Sequence, residues 1–194
     1  CGKSTLLLLL AGLVRPDAGT VTLDGKPTHR LALDAAGSIG LVSARPGLYP
    51  AMTGRENLGW FAALYGRGVD EVDALADGLD LAGHLDRPVG ALSSGQQQKL
   101  SLLRALLLAP QVLLFDEPTA NLDPLSAHTL HQAIRARADA GIPVVLCTHD
   151  LHAAEQICDR VAVLNRTLRG VHTLEGERRA PAVGALHRLF EAST

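Results

Sequence analysis

Cysteine is scarce, charge is close to balanced, and no apolar run is long enough to span a bilayer. The three cysteines, Cys1, Cys147 and Cys158, have neither metal-ligand nor redox spacing, and an odd number leaves one over from any pairing. A reduced compartment is the expectation. The formal net charge is -2, which excludes a global positive field for nucleic acid or an anionic membrane. No nucleic-acid partner is expected. Arg166, Arg169, Arg178, Arg179 and Arg188 are spaced loosely enough to read as solvated surface. The longest apolar stretches run from Leu6 to Val14 and from Leu102 to Phe115, the second broken by Arg104, Pro110 and Gln111. Both fall short of the ~20 residues a spanning helix needs. The leucine run has no basic leader and no small-residue cleavage site, so a signal peptide is not expected. A membrane role then requires a separate partner chain.

What is present is an ordinary globular mixture, 47 % hydrophobic and 20 % charged, which argues against disorder. A chain of 194 residues suits one substantial domain rather than two. Strand-length apolar runs alternate with helical stretches, the pattern of a mostly parallel sheet wrapped by helices. A leucine-rich helix is predicted from Gly2 to Leu13, with Pro16 and Gly19 marking its exit. Thr20 to Leu23 alternates as a strand before an Asp24-Gly25 turn, and Ser38 to Ser43 is another short strand. From 47 to 110 the pattern is helical, and Thr53 with Glu56 has capping-box spacing. Strands return at Gln111 to Phe115, Pro143 to Cys147 and Arg160 to Leu164. Helices from Pro124 to Ala140 and Leu151 to Ile157 separate them, which predicts parallel pairing. Beyond Arg169 a further strand is expected, then a short helix from Val183 to Glu191.

Gly2-Lys3-Ser4-Thr5 opens the leucine helix and matches the end of a G-x-x-x-x-G-K-[ST] phosphate loop. Free N–H groups and the positive end of the helix dipole suit polyphosphate oxygens. Lys3 adds a point charge, and the Ser4 hydroxyl suits Mg²⁺. Taken alone, four residues also fit a helix that merely starts this way. Val112 to Glu117 is an apolar strand ending in two carboxylates, costly at a buried edge unless something uses them. In a phosphate-loop enzyme Asp116 belongs to the Mg²⁺ shell and Glu117 polarises the attacking water. The plainer reading is a pair of solvated acids at a turn. Ser93, Ser94, Gly95 and Gln96 precede another helix, where they either offer donors to a second anion or simply cap it.

Ser93-Ser94-Gly95-Gln96 resembles the ABC signature motif, and Gln111 to Asp123, QVLLFDEPTANLD, looks like a Walker B strand with its D-loop. Cys147-Thr148-His149-Asp150 looks like the switch-histidine segment. With Gly2-Lys3-Ser4, these segments have the order and rough spacing of an ABC nucleotide-binding domain across nearly the whole chain. The resemblance implies an α/β fold: a P-loop NTPase with a mostly parallel central sheet plus a helical ABC subdomain. One domain would cover 1–194, with the helical subdomain at about 47–110. The implied cofactors are ATP and Mg²⁺, and the implied partners are a transmembrane permease and a second copy in a head-to-tail ATP sandwich. In one copy Gly2, Lys3, Ser4 and Thr5 would bind the phosphates, Ser4 and Asp116 the metal, and Glu117 and His149 would be catalytic. Ser93, Ser94, Gly95 and Gln96 of the other copy would close over them, with Asp123 at the seam. Read alone, His149 is an ordinary strand-end histidine and Asp123 an ordinary acid at a helix start.

Three departures from that pattern stand out. Cys1 is not an initiating methionine, so the chain is expected to begin inside its own phosphate loop. It would then lack the preceding strand and the aromatic residue that stacks on adenine, and bind ATP poorly beside the complete domain. Ser94 replaces the usual glycine, a small change that keeps the backbone donors. Ala44 stands where a metal-contacting glutamine is usual, in the segment Ile39 to Pro46; Ser43 or Arg45 is left as a substitute. The segment Leu48 to Leu58 is similar to ATPase subunits of bacterial exporters, including drug-resistance types, placing the protein on the cytoplasmic face of the inner membrane through its permease. Trp60, Phe61 and Tyr65 either line the permease groove or pack as subdomain core. The alternative functions are a soluble ABC ATPase acting on ribosomes or DNA, and a nucleotide-binding switch without hydrolysis.

Overall fold

The leucine run does form a helix, α1 (Lys3–Leu10), and it lies against the sheet that the later apolar runs build. The computed structural model describes residues 2–34 and 37–174; the helix expected from Val183 to Glu191 lies outside them. α1 ends earlier than the apolar pattern alone predicts. Gly12 takes a left-handed φ of 73°, and a Cβ there would sit 2.3 Å from the Thr28 carbonyl oxygen. Only glycine fits so close a backbone crossing. A hairpin of β1 (Thr22–Leu23) and β2 (Lys26–Pro27) follows, turned by Asp24 and Gly25, and then α2 (Thr28–Asp34).

The central sheet has the order β3-β4-β5, from β3 (Ile39–Ser43), β4 (Val112–Asp116) and β5 (Val144–Cys147), all parallel. Side chains alternate faces along a strand, and β4 shows both faces covered. Leu113 and Phe115 belong to the larger core cluster, which includes Leu102, Leu103, Leu130 and Ile134, while Leu114 joins Leu7, Ala11 and Cys147 beneath α1. Such burial on both sides is what a parallel strand requires. The register aligns Ser43 with Asp116 and Asp116 with Cys147 at one carboxyl edge. In open α/β sheets that edge is where ligands bind.

Between β3 and β4 the chain is mainly helical: α3 (Gly54–Leu64), α4 (Val72–Asp77), short 3-10 turns at Ala82–His84 and Val89–Ala91, and α5 (Ser94–Leu106). Thr53 and Glu56 form the capping box that their spacing predicts. The remaining elements are α6 (Pro124–Asp139), α7 (Leu151–Ile157), β6 (Arg160–Asn165) and β7 (Thr167–Thr173). Here one expectation is corrected. β6 pairs antiparallel with β7 across a turn at Arg166 (φ 56°), not with β5. Among the described residues the outer edge of β5 has no strand neighbour, and Val145 on it is 37 % exposed. Of the three aromatics at α3 and its C-cap, Trp60 is 44 % and Tyr65 39 % exposed, Trp60 standing edge-on to Tyr49, while Phe61 is half-buried between Tyr65 and Arg104. No helix among the described residues is long and apolar enough to cross a membrane.

Candidate nucleotide site

The start of α1 and the carboxyl ends of β4 and β5 meet at one point. Gly2 is the N-cap of α1 in a left-handed conformation (φ 97°), with no side-chain cap and no acid in the first turn. The first N–H groups of a helix have no partners within it, so an uncapped start is suited to an anion. Lys3 Nζ lies 3.6 Å from Glu117 Oε1, and His149 Nδ1 lies 2.9 Å from Glu117 Oε2. The structure therefore brings Lys3, Glu117 and His149, far apart in the sequence, together at one sheet edge. Glu117 follows β4 directly, with a left-handed φ of 48° and its N–H donating to the Cys147 carbonyl at 2.9 Å. That turn lifts its side chain off the strand's alternation and toward Lys3. His149 follows β5 by two residues and is largely exposed.

Asp116 ends β4 between Ser43 and Cys147. Its Oδ1 is buried and has no hydrogen-bond partner, an arrangement costing about 1–3 kcal/mol unless a ligand completes it. Among the described residues no cluster of three or more His, Cys, Asp or Glu side chains could enclose a metal. The orphaned Asp116 oxygen and the hydroxyl of Ser4, in the first turn of α1, are oxygen donors of the kind that hold Mg²⁺ beside substrate phosphates. The residues fit Mg²⁺. Cys147 packs under the same edge, its Sγ 3.9 Å from the Lys3 carbonyl. Burial, with smaller contributions from Asp116 and Glu117, pushes its thiol up to about 11 against the opposing pull of Lys3.

The second group of expected site residues lies at two other helix starts. Ser93 caps α5: its Oγ accepts from Gln96 N at 3.2 Å, and Gln96 Oε1 accepts from Ser93 N at 3.0 Å. Ser94 is exposed at the first helical position, while Gly95 is buried at the second. Asp123 caps α6, accepting from Leu125 N at 3.1 Å and Ser126 N at 3.0 Å. Hydrogen bonds from the Ser126 side chain and backbone hold its carboxyl below the usual range. The capping readings of Ser93 and Asp123 are thus correct, and these bonds stay within each helix's first turn. A cap uses the side-chain oxygen as acceptor, which leaves the Ser93 hydroxyl hydrogen free to donate.

Sequence reasoning missed a set of polar residues along one side of α5. Gln98 Nε2 donates to the Ser43 carbonyl at 2.9 Å, Ser101 Oγ to the Pro46 carbonyl at 3.4 Å. Arg104 donates to the Pro46 and Gly47 carbonyls at 2.9 and 2.7 Å and lies 5.0 Å over the Phe61 ring. The loop leaving β3 beside Asp116 is therefore fastened to α5. The detectable signal was polar residues at i, i+3 and i+6 on an otherwise apolar helix face. Beside Ala44 the Ser43 hydroxyl donates to the Arg45 carbonyl at 2.7 Å.

The family described as ABC transporter matches residues 1–120. A Nod factor export ATP-binding protein I from Burkholderia lata is 37 % identical over 195 residues, covering 98 % of this chain and 60 % of that protein. Its namesake from Rhizobium sp. (strain N33) is 39 % identical over 167 residues, covering 84 % of this chain and 55 % of that protein. The chain spans about 60 % of the length of such curated relatives. Among solved structures, cbiO1 from Clostridium perfringens, part of the ABC transporter complex cbiONQ, superposes with a TM-score of 0.79 at 26 % identity, covering 96 % of this chain and 83 % of that one. A family match over more than half of the residues, with this fold and this sheet edge, settles the membership: the chain belongs to the ABC transporter family.

Proposed function

We propose that this chain is the ATP-hydrolysing domain of a bacterial exporter whose membrane path is a separate permease, of the broad type that includes drug-resistance exporters. Residues 1–194 form its nucleotide-binding domain, with the stretch at about 47–110 as the helical subdomain that meets the permease. The exposed Tyr49, Trp60 and Tyr65 offer an aromatic surface for that contact. The protein works at the cytoplasmic face of the inner membrane. The export names of the relatives and the multi-subunit setting of cbiO1 support this reading.

One observation carries the catalytic part: Lys3, Glu117 and His149 converge at an uncapped helix start beside the orphaned Asp116 Oδ1. ATP binds with its phosphates on the first turn of α1, and Lys3 exchanges Glu117 for a phosphate oxygen. The ion pair given up is partly exposed and worth about 0–1 kcal/mol, so the exchange is cheap. Asp116 and Ser4 would hold Mg²⁺, which would supply positive charge against the phosphate oxygens. Glu117, released from Lys3 and still oriented by His149, accepts a proton from the attacking water as a P–O bond to water forms. The bond to the ADP oxygen breaks, and His149 donates toward the charge on the transferred group. Two copies pair head to tail, so that Ser93 to Gln96 of one close on the ATP of the other, with Asp123 at the seam.

The full-length protein in vesicles with its permease should hydrolyse ATP with Mg²⁺ and stop when EDTA is added. Lys3→Ala should weaken nucleotide binding and lower turnover together. Nucleotide binding without hydrolysis, permease present, would identify a switch rather than an ATPase and overturn the proposal.

A further inference from the structure

Gly95 is buried at the second position of α5, and the absent side chain faces α6. A Cβ built there would lie 2.7 Å from Ser126 Oγ and 2.8 Å from Ser126 Cβ. Carbon atoms rest comfortably at about 3.5–4.0 Å. Rotating the Ser126 hydroxyl relieves the first contact, but the Cβ is fixed to the α6 backbone. Any side chain at 95 therefore drives the starts of α5 and α6 apart. Ser126 is also bonded to the cap of its own helix: its backbone N–H and its side chain both bond to the Asp123 carboxylate. The two turns Ser93–Gln96 and Asp123–Ser126 thus touch through a glycine and a serine. Ser94, one residue earlier, is exposed, so there is room for a side chain at 94 and none at 95.

We infer that Ser126 is a positioning residue: it seats against Gly95 and makes the Ser93–Gln96 turn and the Asp123 turn one rigid body, so that both reach the partner copy's nucleotide in fixed relation. The inference rests on the reading above, in which those two turns close on ATP. Its consequence is that the requirement for glycine at 95 comes from packing inside the chain rather than from contact with the nucleotide. Spreading the turns lowers the rate of hydrolysis.

The test is a size swap in the full-length protein with its permease, reading kcat, affinity for a fluorescent ATP analogue and Tm. Gly95→Ala should lower kcat at least tenfold. Gly95→Ala with Ser126→Ala should stay impaired, because the clashing Cβ remains. Gly95→Ala with Ser126→Gly should return kcat to within about threefold of Ser126→Gly alone. Should Gly95→Ala fold poorly, Ser126→Val with Gly95 intact crowds the contact from the other side and should lower kcat in the same way. A Gly95→Ala loss that persists with Ser126→Gly, or a Ser126→Val protein with wild-type kcat, overturns the inference while leaving the closure reading intact. Unchanged kcat in Gly95→Ala itself shows that the contact accommodates a Cβ and likewise overturns the inference.

Discussion

Glu117 occupies a backbone conformation that L side chains avoid, φ 48°, at a cost of roughly 1–2 kcal/mol. The N–H bond to Cys147 and the side-chain bonds to Lys3 and His149 hold it there. Strain kept at one residue beside a cluster of charge is a mark of function over stability. Glu117→Gly should therefore raise stability by about 1 kcal/mol in urea denaturation while abolishing hydrolysis; a fall in stability would show that the side-chain bonds outweigh the strain. Cys147 offers a second check. With its thiol near 11 rather than 9.0, it holds roughly a hundredfold less thiolate than an ordinary cysteine at the same pH. Site-resolved mass spectrometry after iodoacetamide at mild alkaline pH should find Cys147 unmodified in the folded protein and reactive in urea. Both residues bear on what a sequence can reveal. The acid pair at the end of an apolar run was legible as a catalytic candidate, because burial penalises charge that is not used. The left-handed turn was not, since no glycine or asparagine announces it.

The helix α5 joins two parts of the site. Its start carries Ser93 to Gln96, and its side holds the loop beside Asp116 through Gln98, Ser101 and Arg104. Gln98 is fully buried, so Gln98→Leu leaves the Ser43 carbonyl unpaired and should cost about 1–3 kcal/mol in denaturant unfolding. The same variant should raise the Mg²⁺ concentration needed for half-maximal ATPase, because the loop adjoining Asp116 is loosened. An unchanged Mg²⁺ requirement would limit Gln98 to a role in stability. In α6, burial holds the His131 imidazole below its ordinary range, against the attraction of Asp150 and with His128 adding to the shift. The unfolded chain then binds a proton that the folded one refuses, so stability falls as pH drops below about 6.5. The Asp123 cap is lost in turn at lower pH, as its carboxylate protonates. Tm measured from neutral pH downward should fall from about 6.5, and His131→Gln should flatten the upper part of that fall. Element type and order were legible because apolar period and capping residues agree. The pairing of β6 was not, since spacing between runs says nothing of a strand's second neighbour. The exposure of Trp60 and Tyr65 was hidden too, because aromatic composition cannot distinguish core from a surface kept for contact.

At the scale of the molecule, Lys3, Asp116, Glu117 and His149 gather at one sheet edge above a mainly aliphatic core, with Phe115 buried on one face of β4 and Leu114 on the other. Leu114→Ala should cost about 2–5 kcal/mol and shift α1 with the residues it presents, so activity should fall with stability. The two groups of site residues, around Lys3 and around Ser93 with Asp123, are held by separate bonds within the chain. The proposed head-to-tail pairing of two copies would give both groups one ligand and would account for two anion-suited helix starts in a single domain. The order of the motifs was enough to expect the division; its geometry depended on long-range packing such as Gly95 against Ser126, which no local pattern encodes. The most direct measurement is steady-state ATP hydrolysis by full-length Glu117→Gln with its permease, beside light scattering in Mg²⁺-ATP. The expected result is a loss of turnover of about 10²–10⁴-fold, with ATP retained and a dimer accumulating. Turnover equal to that of the unsubstituted protein would contradict the assignment of Glu117 as the base and the site built around it.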